Sequence, residues 1–244
     1  MIPIKQPGLF TAYLLRHFAA LSGIDLPEPL PKTTPLHTKV LFSLKSLPLI
    51  ELVQKVLEYS NNLMAELIQM RAARSLTGKA LSLKDSSTVI RGWLKKELVR
   101  TDWNSFVMEN ASGLGSLSRV SPKQLAEVLS FAEKSYFLDR SFLSLLPISG
   151  WKGTLSNRMN DPDIAFRIWA KTGTQSFSNA LAGYLFTHSG RKLIFTFLAT
   201  QFEGRAKFDR TAAQSAEPDP LADAWINKAR GLQEKLLLRW IQDY

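Results

Sequence analysis

Lys171-Thr172-Gly173-Thr174 sets a cation, a hydroxyl and a bare stretch of backbone side by side. The four residues fall in the first of three apolar runs: Trp169 to Phe177, Ala180 to Thr187 and Lys192 to Phe202. The last two are joined by His188-Ser189-Gly190, a short Gly-containing loop that reads as a hairpin turn. On such a strand, Gly lets a ligand lie along the backbone and free N–H groups pair with it. Lys and Thr can then grip a carboxylate. Alone, the tripeptide fits an exposed lysine near a turn equally well.

Other familiar chemistry is missing. His17, His37 and His188 lie far apart and lack metal-ligand spacing, and the sequence implies neither a metal nor a cofactor. Gly113-Leu114-Gly115 lacks the third glycine of a dinucleotide fingerprint, and Gly78-Lys79-Ala80 lacks the rest of a phosphate loop. There is no Gly-x-Ser-x-Gly elbow. The 244 residues contain no cysteine, which excludes disulfides and thiolate metal sites. The net charge of +10 comes from cations scattered in ones and twos, a pattern of general solubility or attraction to an acidic surface, so no nucleic-acid partner is expected. No run approaches the length of a transmembrane span. Met1 to Gly23 is interrupted by Arg16-His17 and has no small-x-small cleavage site, so no signal peptide is expected.

The elements that must position the strand motif follow from periodicity and caps. Helices are expected over Gly8–Leu21, Pro48–Tyr59, from Leu63 onward, over Ser86–Val99, and from Ser121 to about Lys134. In the second, Leu49, Leu52, Val53, Val56 and Leu57 form the expected buried stripe. The fifth opens with a Ser cap, Pro first and Gln third. Pro27, Pro29, Pro31 and Pro35 make an extended connector. Asn110–Ser118 and Pro147–Asp163 read as loops, and Gly204–Pro218 as a polar loop. A last helix starts near Asp219-Pro220, with Leu221, Trp225, Ala229, Leu232, Leu236 and Trp240 on one face. The second and third strands are apolar on both faces, which requires helices on each side of the sheet.

Ser60-Asn61-Asn62 and Lys171-Thr172-Gly173 occur in the order of the Ser-x-Asn and Lys-Thr-Gly motifs of penicillin-recognising serine enzymes. The chain resembles the D-alanyl-D-alanine carboxypeptidase/endopeptidase family, the low-molecular-mass class C penicillin-binding proteins. Ser60-Asn61-Asn62-Leu63-Met64-Ala65-Glu66 is similar to that family's Ser-Asp-Asn-x-x-Ala-Glu, with Asn61 in place of Asp. Ala111-Ser112-Gly113-Leu114 with Ser118-Arg119 resembles its Gly-Ser-Gly-Leu-Ser-Arg loop, interrupted by extra residues. Leu146-Pro147-Ile148, Gly153-Thr154-Leu155, Arg158 and Ala182-Gly183-Tyr184 resemble the segments around Lys-Thr-Gly. The resemblance runs from about Pro7 to the last strand.

It implies an α+β penicillin-binding, serine β-lactamase-like transpeptidase fold, here incomplete: a helical subdomain (1–164) and an antiparallel sheet flanked by helices (165–244), in one domain. It also implies acyl transfer on peptidoglycan stem peptides, with β-lactams as ligands. Ser60 would relay a proton, Asn62 would bond the substrate backbone and Lys171 would supply positive potential. Thr172 would bind the terminal carboxylate, Gly173 would let the substrate approach, and the Thr174 N–H would form half of an oxyanion hole. The family nucleophile sits in Ser-x-x-Lys, a helical turn that lets the amine take the hydroxyl proton. Ser149-Gly150-Trp151-Lys152 and Ser189-Gly190-Arg191-Lys192 match it formally, but both contain Gly and both follow Ser60. No nucleophile is therefore expected in this chain, and its start is read as too late to include one. The resemblance implies a periplasmic location, against a cytoplasmic one if Met1 is the true start. Two other readings stand: a non-catalytic remnant that binds peptidoglycan peptides or a partner protein, and, less favoured, a basic helical scaffold for nucleic acid. The strand edge left open by an incomplete sheet is expected to cause self-association.

Overall fold

The structure is a computed structural model that describes residues 4–33, 37–40, 42–211 and 219–244. It divides into two compact units, one ending at Ser46 and one spanning Leu47–Tyr244. In the first, α1 (Pro7–Leu21) starts on a proline whose missing N–H costs a first helical position nothing. Gly23 at φ 77° follows it. The extended segment beyond is tied back to the helix by Arg16 Nε donating to Leu26 O at 3.0 Å. Pro35 of the expected connector lies outside the described residues.

The second unit opens with α2 (Leu49–Tyr59), which stops because Ser60 adopts the left-handed conformation (φ 56°, ψ 47°). Asn61 then caps α3 (Asn62–Thr77) by accepting from Met64 N at 3.0 Å. Leu49 is exposed, and the one fully buried side chain of α2 is a carboxylate, Glu58. The helix α4 (Leu83–Glu97) begins three residues earlier than expected. Ser82, not a residue near Ser86, is its cap, accepting from Asp85 N at 3.1 Å. Ser86 and Ser87 are instead buried, bonded to Gln69 Nε2 at 2.8 and 2.7 Å. The fifth helix, α5 (Pro122–Glu133), has both bonds of the capping box.

A hairpin of β1 (Tyr136–Phe137) and β2 (Arg140–Ser141), which periodicity did not reveal, leads through two single 3-10 turns to the main sheet. That sheet is antiparallel, in the order β3 (Ile168–Gln175), β4 (Ser178–Phe186), β5 (Lys192–Thr200). Helix α6 (Phe202–Thr211) stands where a polar loop was expected; residues 212–218 lie outside the described residues. The last helix, α7 (Pro220–Asp243), is capped by Asp219.

The sheet has helices on both faces, as its two-sided apolar strands require. One core joins Ile168, Ala170, Leu181, Leu185 and Phe195 to Leu237 and Ile241 of α7. The other joins Tyr184, Ala182, Trp169 and Ile194 to Leu129 of α5. Tyr184 fixes this second layer by donating its hydroxyl to Leu129 O at 2.7 Å. The buried face of α7 is Ala222, Ile226, Gln233, Leu237 and Ile241, one position on from the expected stripe; Leu221 and Leu232 are exposed. Both stripes of α7 contain apolar residues, so only the packing against β3–β5 decides between them.

Gly183 pairs with Ala170, and a Cβ at 183 would meet Trp169 O at 2.2 Å and Ala170 Cα at 2.6 Å. Gly183→Ala is therefore expected to destabilise the unit by ~2–3 kcal/mol through overpacking. The check is a lower urea midpoint at unchanged slope; an unchanged midpoint would contradict the close approach. No helix among the described residues is long and apolar enough to cross a membrane.

Candidate active site

Two elements far apart in the chain bring Ser60 and Lys171 together. The left-handed turn at Ser60 lifts its side chain off the end of α2, and Lys171 Nζ donates to Ser60 Oγ at 2.9 Å. The same ammonium donates to Thr172 O. Among the described residues no carboxylate pairs with it. Burial without a counter-charge pulls its pKa down to about 8.

The edge of β3 is divided in two. Its first half is covered: Ser149 N donates to Ile168 O at 2.9 Å, and Ala170 N to Pro147 O at 3.0 Å. Alternation along the strand turns the backbone of Thr172 and Thr174 to that same outer side. Among the described residues no protein backbone pairs with it there. Lys171–Thr174 thus offers an open length of strand beside an ammonium and a hydroxyl. Thr172 Oγ1 donates to Thr154 Oγ1 at 3.0 Å.

The turn carrying Thr154 is pressed onto the end of α2. Gly153 sits at φ 66°, and a Cβ there would lie 2.8 Å from Glu58 O. Glu58 itself bonds Lys152 at 2.6 Å, Lys55 at 3.2 Å and Gln54 at 2.8 Å. Burial pushes its carboxyl up, but these bonds outweigh it and hold the pKa below the ordinary range. The ion pair with Lys152 therefore clamps the Thr154 turn beside Ser60.

A second wall comes from the loop after α4. Ser112 Oγ donates to Glu66 Oε1 of α3 at 2.8 Å, and Gln175 Nε2 of β3 donates to Gly113 O at 2.7 Å. The loop bridges the helix that follows Ser60 and the strand that carries Lys171.

Asn62 occupies the first position of α3, exposed, and its side chain makes no hydrogen bond among the described residues. A Cβ at Gly173 would stand 3.3 Å from Ala180 Cβ, close enough that the neighbour would have to give by a few tenths of an ångström. The two formal Ser-x-x-Lys matches are not built as nucleophile and base. Ser149 is fully buried, donating to Ile164 O at 3.1 Å and accepting from Ile168 N at 3.2 Å, while Lys152 is held by Glu58. Ser189 is in the β4–β5 turn, bonded to Thr187 and to Tyr244 O.

Sequence reasoning did not single out Glu58, Gln175, Asn179, Arg230 or Gln233. Asn179 Nδ2 donates to Thr174 Oγ1 at 3.2 Å and to Gly173 O at 3.4 Å. Gln233 Nε2 of α7 donates to Asn179 Oδ1 at 2.7 Å. No local signal marks these residues, since each acts across more than one element.

The lowered pKa of Lys171 has a stability signature. An unfolded lysine keeps its proton to about pH 10.4, whereas the folded one releases it near 8. Between those values the unfolded state binds more protons, so stability rises with pH across that window and is flat below it. Lys171→Met should remove the rise and stabilise the fold at pH 7. Equal pH profiles of the two urea midpoints would contradict the burial of an uncompensated ammonium.

The fold is the mixed helix and antiparallel-sheet arrangement of the penicillin-binding proteins. The chain belongs to the D-Ala-D-Ala carboxypeptidase 3 (S13) family, whose model matches residues 4–217. It is 35% identical over 176 residues to the carboxypeptidase DacB of Mycolicibacterium smegmatis, covering 69% of this chain and 38% of that protein. It is 27% identical over 196 residues to the D-alanyl-D-alanine carboxypeptidase DacB of Haemophilus influenzae, covering 79% and 40%. The crystal structure of H. influenzae penicillin binding protein 4 complexed with a β-lactam superposes with a TM-score of 0.70 at 22% identity, covering 97% of this chain and 52% of that one. The chain thus spans about half the length of the relatives it matches or less.

Proposed function

We propose that this chain supplies the Ser60 and Lys171 side of a serine-type D-Ala-D-Ala carboxypeptidase site acting on peptidoglycan peptides in the periplasm. The observation that carries the reading is the 2.9 Å bond between Lys171 Nζ and Ser60 Oγ, beside an open length of β3. A peptide laid along that edge pairs with the backbone at Thr172 and Thr174, with Gly173 leaving room for it. Thr172 receives its terminal carboxylate. The Thr174 N–H points to where the oxyanion of a tetrahedral intermediate forms, and Lys171 lowers the energy of that charge. Ser60, bonded to Lys171, relays a proton toward the leaving amine, and Asn62 bonds the substrate backbone.

The nucleophile comes from polypeptide outside these 244 residues. Within them, Ser149 and Ser189 are the serines of the two Ser-x-x-Lys matches, and both are committed to structural bonds. The test is release of D-Ala from a D-Ala-D-Ala-terminated peptide. The chain alone should release none, and the chain co-expressed with a family segment carrying Ser-x-x-Lys should release it. No release from a soluble, associated pair would favour a non-catalytic peptide-binding role.

A further inference from the structure

The end of α2 and the strand motif are pinned to each other at two points. One is the contact of Lys171 Nζ with Ser60 Oγ at 2.9 Å. The other lies behind it, two residues before Ser60. There the buried carboxylate of Glu58 receives Lys152 Nζ at 2.6 Å and Lys55 Nζ at 3.2 Å. Gln54 Nε2 donates to it at 2.8 Å, and Gln54 is itself held by Arg140 Nη1 at 2.9 Å. Lys152 belongs to a turn that is sewn to β3. It exchanges backbone bonds with Ile148 at 3.0 and 3.1 Å, and Ile148 is bridged to Trp169, two residues before Lys171. The path from Ser60 through Glu58, Lys152, Ile148 and Trp169 to Lys171 therefore closes on Ser60 as a ring.

This ring fixes geometry more than it adds stability. A buried ion pair contributes little over an apolar pair of the same size. Ser60 has a left-handed backbone, φ 56° and ψ 47°, and a serine persists there only where its surroundings hold it. The close approach of Gly153, where a Cβ would lie 2.8 Å from Glu58 O, leaves the turn no slack against α2. With a neutral side chain at position 58, Lys55 and Lys152 would converge on a group with no counter-charge. Their repulsion would push the turn, and β3 with it, away from Ser60.

We propose that Glu58 is a positioning residue of this site: paired with Lys152, it holds the left-handed turn of Ser60 at bonding distance from Lys171 and so sets the rate of acyl transfer. The inference rests on Ser60 and Lys171 acting in that step, as set out under the proposed function. It adds that their contact depends on a carboxylate that touches neither of them.

The test is the rate of acylation by saturating fluorescent penicillin, per molecule able to be labelled, in the chain completed by a Ser-x-x-Lys segment. Counting only labelled molecules removes any loss of folded protein. Ser60→Ala should slow the step about a hundredfold, as for a lost proton relay. Glu58→Gln and Lys152→Met should each slow it about tenfold or more, the size of a small misplacement, and Lys152→Arg, which keeps the ion pair, should retain most of the rate. Added to Ser60→Ala, Glu58→Gln should cost little more, because residues that act as a unit are not additive. If Glu58→Gln does not fold, Lys152→Met decides, alone and added to Ser60→Ala. Wild-type rates in the foldable variants of this pair overturn the inference. So does a full further loss on top of Ser60→Ala, which would mean that Glu58 acts independently of Ser60. An unchanged rate in Ser60→Ala, or no acylation of the completed wild type, overturns the proposed function itself and the inference with it.

Discussion

Lys171→Ala is expected to lower the rate of penicillin acylation about a hundredfold or more once a Ser-x-x-Lys segment completes the site, the size typical of losing one preorganised electrostatic group. The ammonium is bonded to Ser60 and to Thr172 O, and among the described residues no carboxylate pairs with it. On the proposed reading its field acts on the ligand rather than being spent on a structural ion pair. Thr172→Ala should act differently, weakening recognition of the terminal carboxylate more than the acylation step. Unchanged acylation in both variants would detach the strand motif from the chemistry. The effect of Lys171→Ala should also oppose its effect on stability, since the same uncompensated charge costs folding free energy near neutral pH.

The second large effect concerns association. Among the described residues β5 pairs only with β4, so its outer edge presents unpaired N–H and C=O groups beside Ile194, Phe195 and Phe197. Helices α5 and α7 cover the faces of the sheet, but a helix cannot pair a strand's backbone. Such an edge is a template for another strand. The chain alone should elute as an oligomer or aggregate, and co-expression with a family segment carrying Ser-x-x-Lys should recover a soluble species. A monodisperse monomer with one cooperative unfolding transition would show that the edge of β5 is protected in solution.

Much of what positions the site was legible in the residues. The Ser121–Gln124 capping box, the break at Ser60-Asn61-Asn62 and the two-sided apolar strands each carry a local physical signal, and each element formed where that signal lay. The offset of α7 was not legible, because its apolar residues fall on two adjacent stripes and the sheet selects the one containing Gln233. Nor was the start of α4, where Ser82 and Ser86 are equally good caps by type. The helix α6 was missed because a polar sequence such as Phe202–Thr211 has no apolar periodicity to announce it. In the site, Lys171 and Ser60 stand out by motif. Glu58, Asn179 and Arg230 do not, since a buried carboxylate held by two lysines, or an arginine bonded across 56 positions, reads as ordinary surface charge until the fold is closed.

The central claim is that Ser60 and Lys171 form one side of a penicillin-recognising site whose nucleophile lies on polypeptide outside these residues. A fluorescent penicillin tests it most directly, applied to the chain alone and to the chain completed by a Ser-x-x-Lys segment, with peptide mapping of the label. The account predicts no label on the chain alone, and in the completed protein a single adduct on the added serine that Lys171→Ala strongly slows. Stoichiometric labelling of any serine in the 244 residues alone, Ser149 above all, would contradict it.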